Sequence, residues 1–437
     1  MALTGQPIMP IAHIESLDRE GRGVARVEGK TVFVDGAAPG ETVEYSPYRK
    51  KPKWEVAQIV RIESEGAGRT VPRCAFFGTC GGCSMQHIDG AMQVAAKQRV
   101  LEDALWHIGR VRPETMLRAI YGLPWGYRHR ARLSVRWVPK KGGSLVGFRE
   151  RNSSHITDMT HCEVLPPRVS GLIQPLRLLV GSLSMRTSLP QIEVAVGEDV
   201  IALVLRILRH PDADDEDLLR RFADQHGVQL WLQPAGPDSA QAFWPLDAPP
   251  LYYSLPEYKI RIAFGPTDFT QINHMVNRLL VRRAVSLLDP QPGERIADYF
   301  CGLGNFTLPI GSCGAHVLGI DGNASLIARA GANAQMNELA GHCNFAVANL
   351  FDGAACASLP ACDKALLDPP REGATELVKS FAGRPPRRIA YISCDPATLA
   401  RDGGVLVHVQ GYRLAAAGVV NMFPHTSHVE SVALFEK

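Results

Sequence analysis

The chain has 437 residues, of which 46% are hydrophobic and 21% charged, with a net charge of +3. This is the composition of a globular protein of several domains and excludes a globally disordered, collagen-like or coiled-coil chain. No run of about 18 apolar residues predicts a membrane span, and MALTGQPIMPIAHIE lacks the basic-then-apolar pattern of a secretion signal, so a cytoplasmic protein with no membrane partner is expected.

In chain order, residues 11–63 carry five β-prone runs: IAHIESL, GVARVEG, KTVFVDG, ETVEYSPY and WEVAQIVRI. Glycine-rich turns separate them, which predicts a small barrel of the OB type. A Gly/Cys-rich knot, RTVPRCAFFGTCGGCSMQH, follows, and residues 91–109 have helical periodicity. Residues 127–265 alternate β-like runs (HRARLSVRWV, SLVGFRE, QIEVAVG, VIALVLRIL, VQLWLQ) with loops, as in an α+β domain rich in antiparallel sheet. From about residue 267 the pattern changes to short apolar strands (ERIADYF, HVLGID, CNFAVAN, DKALLD, RRIAYIS) alternating with helical stretches. That alternation predicts an α/β, doubly wound sheet. The expected domains are therefore 1–68, 69–265 and 266–437, with about 93–126 packing on the last.

The mild net charge hides local patches. Residues 121–160 hold eight Arg/Lys, Arg130 and Arg132 among them, against Glu150 and Asp158, and Arg49, Lys50, Lys51 and Lys53 form a basic turn. Such patches suit a phosphate backbone, and equally a solvated face.

Four constellations carry chemistry. Cys74, Cys80 and Cys83 fall within ten residues, and Cys162 in MTHCEVL is a candidate fourth thiolate. In a cytoplasmic protein this spacing suits a structural zinc or an iron–sulfur cluster, and spacing alone does not separate them. His87 is a neighbour for which a local hydrogen bond is the ordinary use.

Asp298-Tyr-Phe-Cys-Gly-Leu-Gly-Asn305 follows a predicted strand, and Asp321 ends the next one. Gly302 and Gly304 permit close backbone approach to a ligand, and a carboxylate at Asp321 would hold a ribose diol. A third glycine is missing, which favours S-adenosylmethionine over a dinucleotide with its pyrophosphate.

Leu366-Leu-Asp368-Pro-Pro-Arg371 ends a later strand, so Asp368 stands over the same crevice. Tyr391-Ile-Ser-Cys394 ends another, where a helix N-terminus would favour a thiolate. Glu430 opens the last strand. A thiol nucleophile with a carboxylate base is what C5 methylation of a pyrimidine requires. A thiolate added at C6 makes C5 nucleophilic, and a base then removes the C5 proton so that the thiolate can leave. The target base must first leave its stack.

These motifs together resemble the bacterial RNA uracil-C5 methyltransferase family, in its 23S ribosomal RNA branch with a TRAM domain and a [4Fe–4S] cluster. LDREGRGVARVEGKTVFVDGAAPGE resembles the TRAM barrel. CAFFGTCGGCSMQH with the later MTHCEVL resembles the cluster site, and DFTQIN, DYFCGLGNFTLPI, LLDPPREGA, YISCDPATLARD and MFPHTSHVESVALFE resemble the catalytic motifs. The resemblance implies a class I methyltransferase domain at 266–437, a TRAM barrel at 1–68 and a cluster-bearing domain at 69–265. It implies Cys394 as nucleophile and Glu430 as base, and Cys74, Cys80, Cys83 and Cys162 as ligands of a structural [4Fe–4S] cluster. Gln271, Phe300, Asn305, Asp321, Asn349 and Asp368 would contact S-adenosylmethionine or order the site around it. The implied partner is 23S rRNA, bound by a monomer, with Phe269 a stacking candidate for the flipped base.

Three positions depart from the family pattern. Asp395 stands for Asn, where a second carboxylate would raise the Cys394 pKa. Asp321 stands for Glu, and Tyr299 for Leu. Cys301, Cys313, Cys343, Cys356 and Cys362 read as packing or surface residues, and His425 and His428 flank the base. The alternatives to a 23S rRNA enzyme are a tRNA uracil-C5 methyltransferase, an RNA-binding assembly factor with a vestigial fold, and an iron–sulfur sensor that gates RNA binding.

Overall fold

The computed structural model describes residues 9–437; the first eight residues of the predicted N-terminal domain lie outside this range. Residues 11–64 form a six-stranded sheet in the order Ile11–His13, Thr42–Lys50, Trp54–Ser64, Lys30–Asp35, Gly23–Val27, Ser16–Leu17. The expected first strand is thus two short ones. Register shifts in the pair Thr42–Lys50/Trp54–Ser64 bend the sheet around Ile14, Ala25, Val32, Val34, Val43 and Ala57. Glu41, fully buried, is held by Arg69 and by the Ala38 amide, which fastens this unit to the cysteine-rich segment.

The central unit is a six-stranded mixed sheet, in the order Gln241–Trp244, Gln229–Gln233, Ile201–Arg206, Gln191–Val196, Arg130–Val138, Gly143–Gly147. The helices Ile173–Ser182 and Ala213–His226 cover it. The second makes the crossover between the one parallel pair, Ile201–Arg206 and Gln229–Gln233. Its ends are written locally: Asp212 caps the Asp215 amide, acidic residues fill the first turn, and Gly227 at φ 59° ends it.

The third unit is an eight-stranded sheet: Cys343–Val347, His316–Asp321, Arg295–Tyr299, Lys364–Leu367, Arg388–Ser393, Glu430–Glu436, Arg413–Val420, Thr115–Met116. All pairs are parallel except the two made by Glu430–Glu436, which is inserted antiparallel. Strand order reverses between Arg295–Tyr299 and Lys364–Leu367, and the carboxyl ends there open a crevice.

Two segments N-terminal to 266 share this unit's core. Leu101, Leu105 and Val111 pack with Tyr299, Leu367, Tyr391 and Leu399. The hairpin Leu251–Leu255/Ile260–Phe264 buries Leu251, Tyr253, Leu255, Ile260, Ile262 and Phe264 against Ile296, Leu303 and Phe306. A sequence boundary at 265/266 cuts this packing because a two-stranded hairpin carries no periodicity that ties it to one neighbour rather than the other.

No helix among the described residues is long and apolar enough to cross a membrane.

Candidate active site

The crevice is built from strand ends. After Arg295–Tyr299 the backbone turns through Phe300 (φ 63°), Gly302 (φ 53°) and Gly304 (φ 90°). A Cβ on Gly304 would also press on Leu308 at 3.2 Å, so both space and conformation call for glycine there. Phe300 in the left-handed region is a strained non-glycine residue, of the kind that collects at ligand sites.

Asp321, at the end of the next strand, accepts hydrogen bonds from the Gly302 amide (3.1 Å) and the Asn323 amide (2.9 Å). The loop and the carboxylate hold each other. Asn305 and Asn277 exchange two hydrogen bonds (2.9 and 3.0 Å), and the Tyr253 hydroxyl donates to Asn305 Oδ1 (2.9 Å). Asn277 lies on the helix His274–Leu288, whose N-cap is Asn273. Gln271, just before that cap, is buried. Asn349 is exposed, its side chain accepting from the Phe351 amide, and Phe351 packs on Phe300 with ring centroids 5.6 Å apart.

Three carboxyls crowd this end of the sheet. Asp298 is fully buried with one oxygen on the Thr307 hydroxyl and the other without a partner, and burial pushes it up to about 7. Burial also pushes Asp368 up to about 7 and Glu430 to about 8, the latter helped by Asp368 and opposed by Arg371 and Lys97. A cationic ligand would relieve all three.

Cys394 and Glu430 come together through sheet register. Ser393 pairs with Ser431, so the residues one step outward leave the same end of adjacent strands. The thiol was expected to gain thiolate character from a helix N-terminus; the structure corrects this. Burial pushes Cys394 up to about 11, with Glu430 and Asp368 adding to the rise and Arg371 opposing it. Asp395 is not among the causes. Its side chain instead caps the helix Pro396–Gly404 by accepting from the Ala397 amide (2.8 Å). Tyr299 is buried against Phe381, a packing role.

Cys74, Cys80, Cys83 and Cys162 line one cavity with Phe76 and Phe148, and all four are free thiols. Among the described residues no group of three or more His, Cys, Asp or Glu side chains is arranged to hold a metal ion. Burial pushes Cys83 up to about 12 and Cys162 to about 11, with the other thiols adding to each. His87 is buried beside Phe77, but its ring nitrogens lack the expected local hydrogen bond. Cys301, Cys343 and Cys356 are buried and Cys313 and Cys362 partly so; Cys301 sits within the glycine loop beside Asp298 and Asp321, and Cys343 donates to the Thr307 carbonyl behind Asp298.

Phe269 is 73% exposed beside the Gln271 segment. Arg130 donates to the Pro266 carbonyl (2.6 Å), and Arg132 pairs with Glu193 on the adjacent strand. An open groove runs between the N-terminal sheet (Arg22, Arg49), the central unit (Arg128, Arg151) and the turn holding Thr426 and His428.

Sequence reading missed two residues that organise the site. Asp402, fully buried, accepts from the Tyr391 hydroxyl, the Thr375 hydroxyl and the Ala374 amide, each at 2.7 Å. It ties the loop after Asp368 to the helix after Cys394. Lys97, 2% exposed, donates to Asn421 Oδ1 (2.7 Å) and to the Phe423 carbonyl (2.9 Å). Its signal was available: Gln93, Lys97, Leu101 and Leu105 recur every four residues, which puts two polar side chains on an apolar helix face.

Residues 12–44 match the model of the TRAM domain, and residues 356–437 that of tRNA (Uracil-5-)-methyltransferase. The 23S rRNA (uracil(1939)-C(5))-methyltransferase RlmD of Nitrosospira multiformis is 61% identical over 428 residues, covering 97% of this chain and 98% of its own. That of Aromatoleum aromaticum is 58% identical over 432 residues, covering 98% and 100%. The chain belongs to the 23S rRNA uracil-C5 methyltransferase family. Among solved structures, the Pyrococcus abyssi tRNA (uracil-54, C5)-methyltransferase in complex with S-adenosyl-L-homocysteine superimposes with a TM-score of 0.75 at 23% identity, covering 98% of this chain and all of that one. At that identity the likeness establishes the fold, which is the class I methyltransferase architecture expected for 266–437. The family's C-terminal model begins at residue 356 and so spans Asp368, Cys394 and Glu430.

Proposed function

We propose that this enzyme methylates C5 of one uridine in 23S rRNA, using S-adenosylmethionine and a transient covalent bond from Cys394 to C6. The observation that carries the reading is the register Ser393–Ser431, which sets a thiol and a carboxyl side by side over an acidic crevice. S-adenosylmethionine, when bound, supplies an electrophilic methyl group. Asp321 would hold its ribose and Asn305, Phe300, Gln271, Asn349 and Asp368 the rest of the donor, and the three crowded carboxyls suit its positive charge.

The Cys394 thiolate adds to C6, and the electron pair of the C5–C6 bond passes to the C4 carbonyl as an enolate. C5 then takes the methyl group as the methyl–sulfur bond breaks, its electron pair staying on the donor sulfur, which leaves as a neutral thioether. The Glu430 carboxylate removes the C5 proton, the C6–S bond breaks, and the thiolate returns to Cys394. Arg371 is the cation that offsets the carboxylates around Cys394.

RNA would lie along the groove between the N-terminal sheet and the turn at Thr426, where arginines from two units meet. Phe269, exposed two residues before the buried Gln271, would stack on the flipped base. In this reading the four cysteines would hold a [4Fe–4S] cluster; what supports it is that all four line one cavity walled by Phe76 and Phe148, with Cys162 coming from a distant segment. Its role in this reading is structural, since the transfer contains no redox step. The enzyme would act as a cytoplasmic monomer.

The test is incubation with labelled donor and either unmodified 23S rRNA or tRNA, followed by mapping of the modified nucleotide. A single 5-methyluridine in 23S rRNA, lost in Cys394→Ala, is expected. Transfer to tRNA alone would overturn the substrate, and tight RNA binding without transfer would favour an assembly factor.

A further inference from the structure

Asn305 and Asn277 hold each other by two hydrogen bonds, one in each direction. That pair is satisfied equally well if both amides turn over together, so it does not choose which end of Asn305 meets a ligand. Tyr253 makes the choice. Its hydroxyl lies 2.9 Å from the Asn305 atom that also faces Asn277 Nδ2. The phenol is buried, and among the described residues its hydroxyl has no other partner. Burial pushes its pKa up, so the hydroxyl keeps its proton and donates it. An amide oxygen accepts that proton and an amide nitrogen does not. Were Asn305 turned over, the phenol hydrogen would be buried without an acceptor. Asn305 Oδ1 therefore points inward, to Tyr253 and Asn277. Of the Nδ2 hydrogens one goes to Asn277 Oδ1, and the other has no protein partner among the described residues. It belongs to a half-buried side chain at the end of the glycine turn.

The phenol is itself fixed from two units. Its ring packs on His274 with centroids 5.3 Å apart, and His274 stacks on His129 of the central unit at 4.0 Å. The next residue, Ser254, donates to Glu198 of the central unit through its amide (2.8 Å) and its hydroxyl (3.0 Å). On the other side, buried Asn333 exchanges hydrogen bonds with the backbone of Ala263 (3.0 and 3.1 Å) and donates to the Leu303 carbonyl (3.2 Å). The hairpin Leu251–Leu255/Ile260–Phe264 thus braces the glycine turn at two points, Leu303 and Asn305.

We propose that Tyr253 is a positioning residue for the methyl donor: its hydroxyl sets the Asn305 amide so that an N–H, and not a carbonyl oxygen, is presented to an acceptor group of S-adenosylmethionine. The inference rests on the proposed contact of Asn305 with the donor. It completes the donor site from a hairpin that precedes residue 266. The experiment titrates the full chain with S-adenosylhomocysteine by calorimetry and measures methyl transfer to unmodified 23S rRNA. Tyr253→Phe, Asn305→Ala, Asn305→Asp and the double variant Tyr253→Phe/Asn305→Ala are compared with wild type. Tyr253→Phe keeps the ring and its packing and frees the amide pair to turn over. Asn305→Asp keeps an acceptor for Tyr253 and Asn277 but has no N–H to present.

Tyr253→Phe is expected to weaken S-adenosylhomocysteine binding and raise donor KM by about fivefold or more, with kcat at saturating donor and KM for RNA within about twofold of wild type. Asn305→Ala and Asn305→Asp should each weaken binding at least as much. In the Asn305→Ala background Tyr253→Phe should add less than about twofold, because the hydroxyl acts only through Asn305. A merely structural tyrosine would give losses that multiply in the double variant. Such multiplication overturns the inference, and so does wild-type binding by Tyr253→Phe while Asn305→Ala is weakened. If Asn305→Ala binds as wild type, the donor contact of Asn305 fails first and the inference falls with it. Should Tyr253→Phe not fold, Asn305→Asp keeps the tyrosine; wild-type binding there also overturns the presentation of an N–H.

Discussion

Cys394 and Glu430 are neighbours because Ser393 and Ser431 are register partners across an antiparallel pair. One strand inserted against the direction of the others brings the last turn of the chain back to the switch-point end of the sheet. Thiol and carboxyl are then 36 positions apart in sequence and one strand apart in space. A one-residue slip in that pair would turn Glu430 to the other face, so the reaction depends on sheet register as much as on side-chain identity.

Glu430 is a stability liability when ionised. Its pKa is raised from 4.5 to about 8, so between those values the folded state binds more protons than the unfolded one, and stability falls as pH rises. Glu430→Gln is therefore expected to stabilise the protein by about 1–3 kcal/mol at pH 8 and by much less at pH 4.5. Thermal melts at the two pH values measure this; equal shifts at both would show that burial does not bias the carboxyl.

Cys394, pushed up to about 11, is expected to react slowly with iodoacetamide at pH 7. A sulfonium in the crevice would lower its pKa, whereas the neutral thioether of S-adenosylhomocysteine would not. Alkylation of Cys394 by peptide mass should thus be about tenfold faster with the charged donor than with the product for each unit of pKa lost. Equal rates would remove this electrostatic activation.

Asp402 is expected to be among the most sensitive positions outside the reacting groups. Asp402→Ala leaves the buried Tyr391 hydroxyl, Thr375 hydroxyl and Ala374 amide without their acceptor, at a cost of about 3 kcal/mol or more. Urea unfolding reads the loss; a change below about 1 kcal/mol would mean the loop after Asp368 is held by other contacts.

On the proposed [4Fe–4S] reading, in which Cys162 joins a distant segment to the Cys74–Cys83 loop, wild type retains about four irons per chain and Cys162→Ala loses them and melts lower under anaerobic conditions. Iron and acid-labile sulfide assays test it. Full iron content in the variant would remove Cys162 from the ligand set.

Much of this architecture is legible from local pattern. The parallel strands Arg295–Tyr299, His316–Asp321 and Arg388–Ser393 are short, largely buried apolar runs, and the residues named from sequence, Asp298, Asp321 and Cys394, lie at or within one residue of their carboxyl ends. What sequence hid is non-local. Thr115–Met116 is a two-residue strand recruited by Arg413–Val420, and nothing in its composition reports that edge. The Cys394 environment reversed because the pull of a helix N-terminus is local, whereas burial comes from the whole fold, Asp368 and Glu430 arrive from other strands, and Asp395 turns its carboxylate to capping. Lys97 and Asp402 acquire their roles through partners 324 and 11–28 residues away, distances at which periodicity is silent.

The most direct measurement of the chemistry is peptide mapping of the Glu430→Gln enzyme after reaction with S-adenosylmethionine and unmodified 23S rRNA, following nuclease digestion. A methylated uridine attached to Cys394 is predicted. Released 5-methyluridine with Cys394 unmodified throughout the turnover would contradict a covalent route through this thiol.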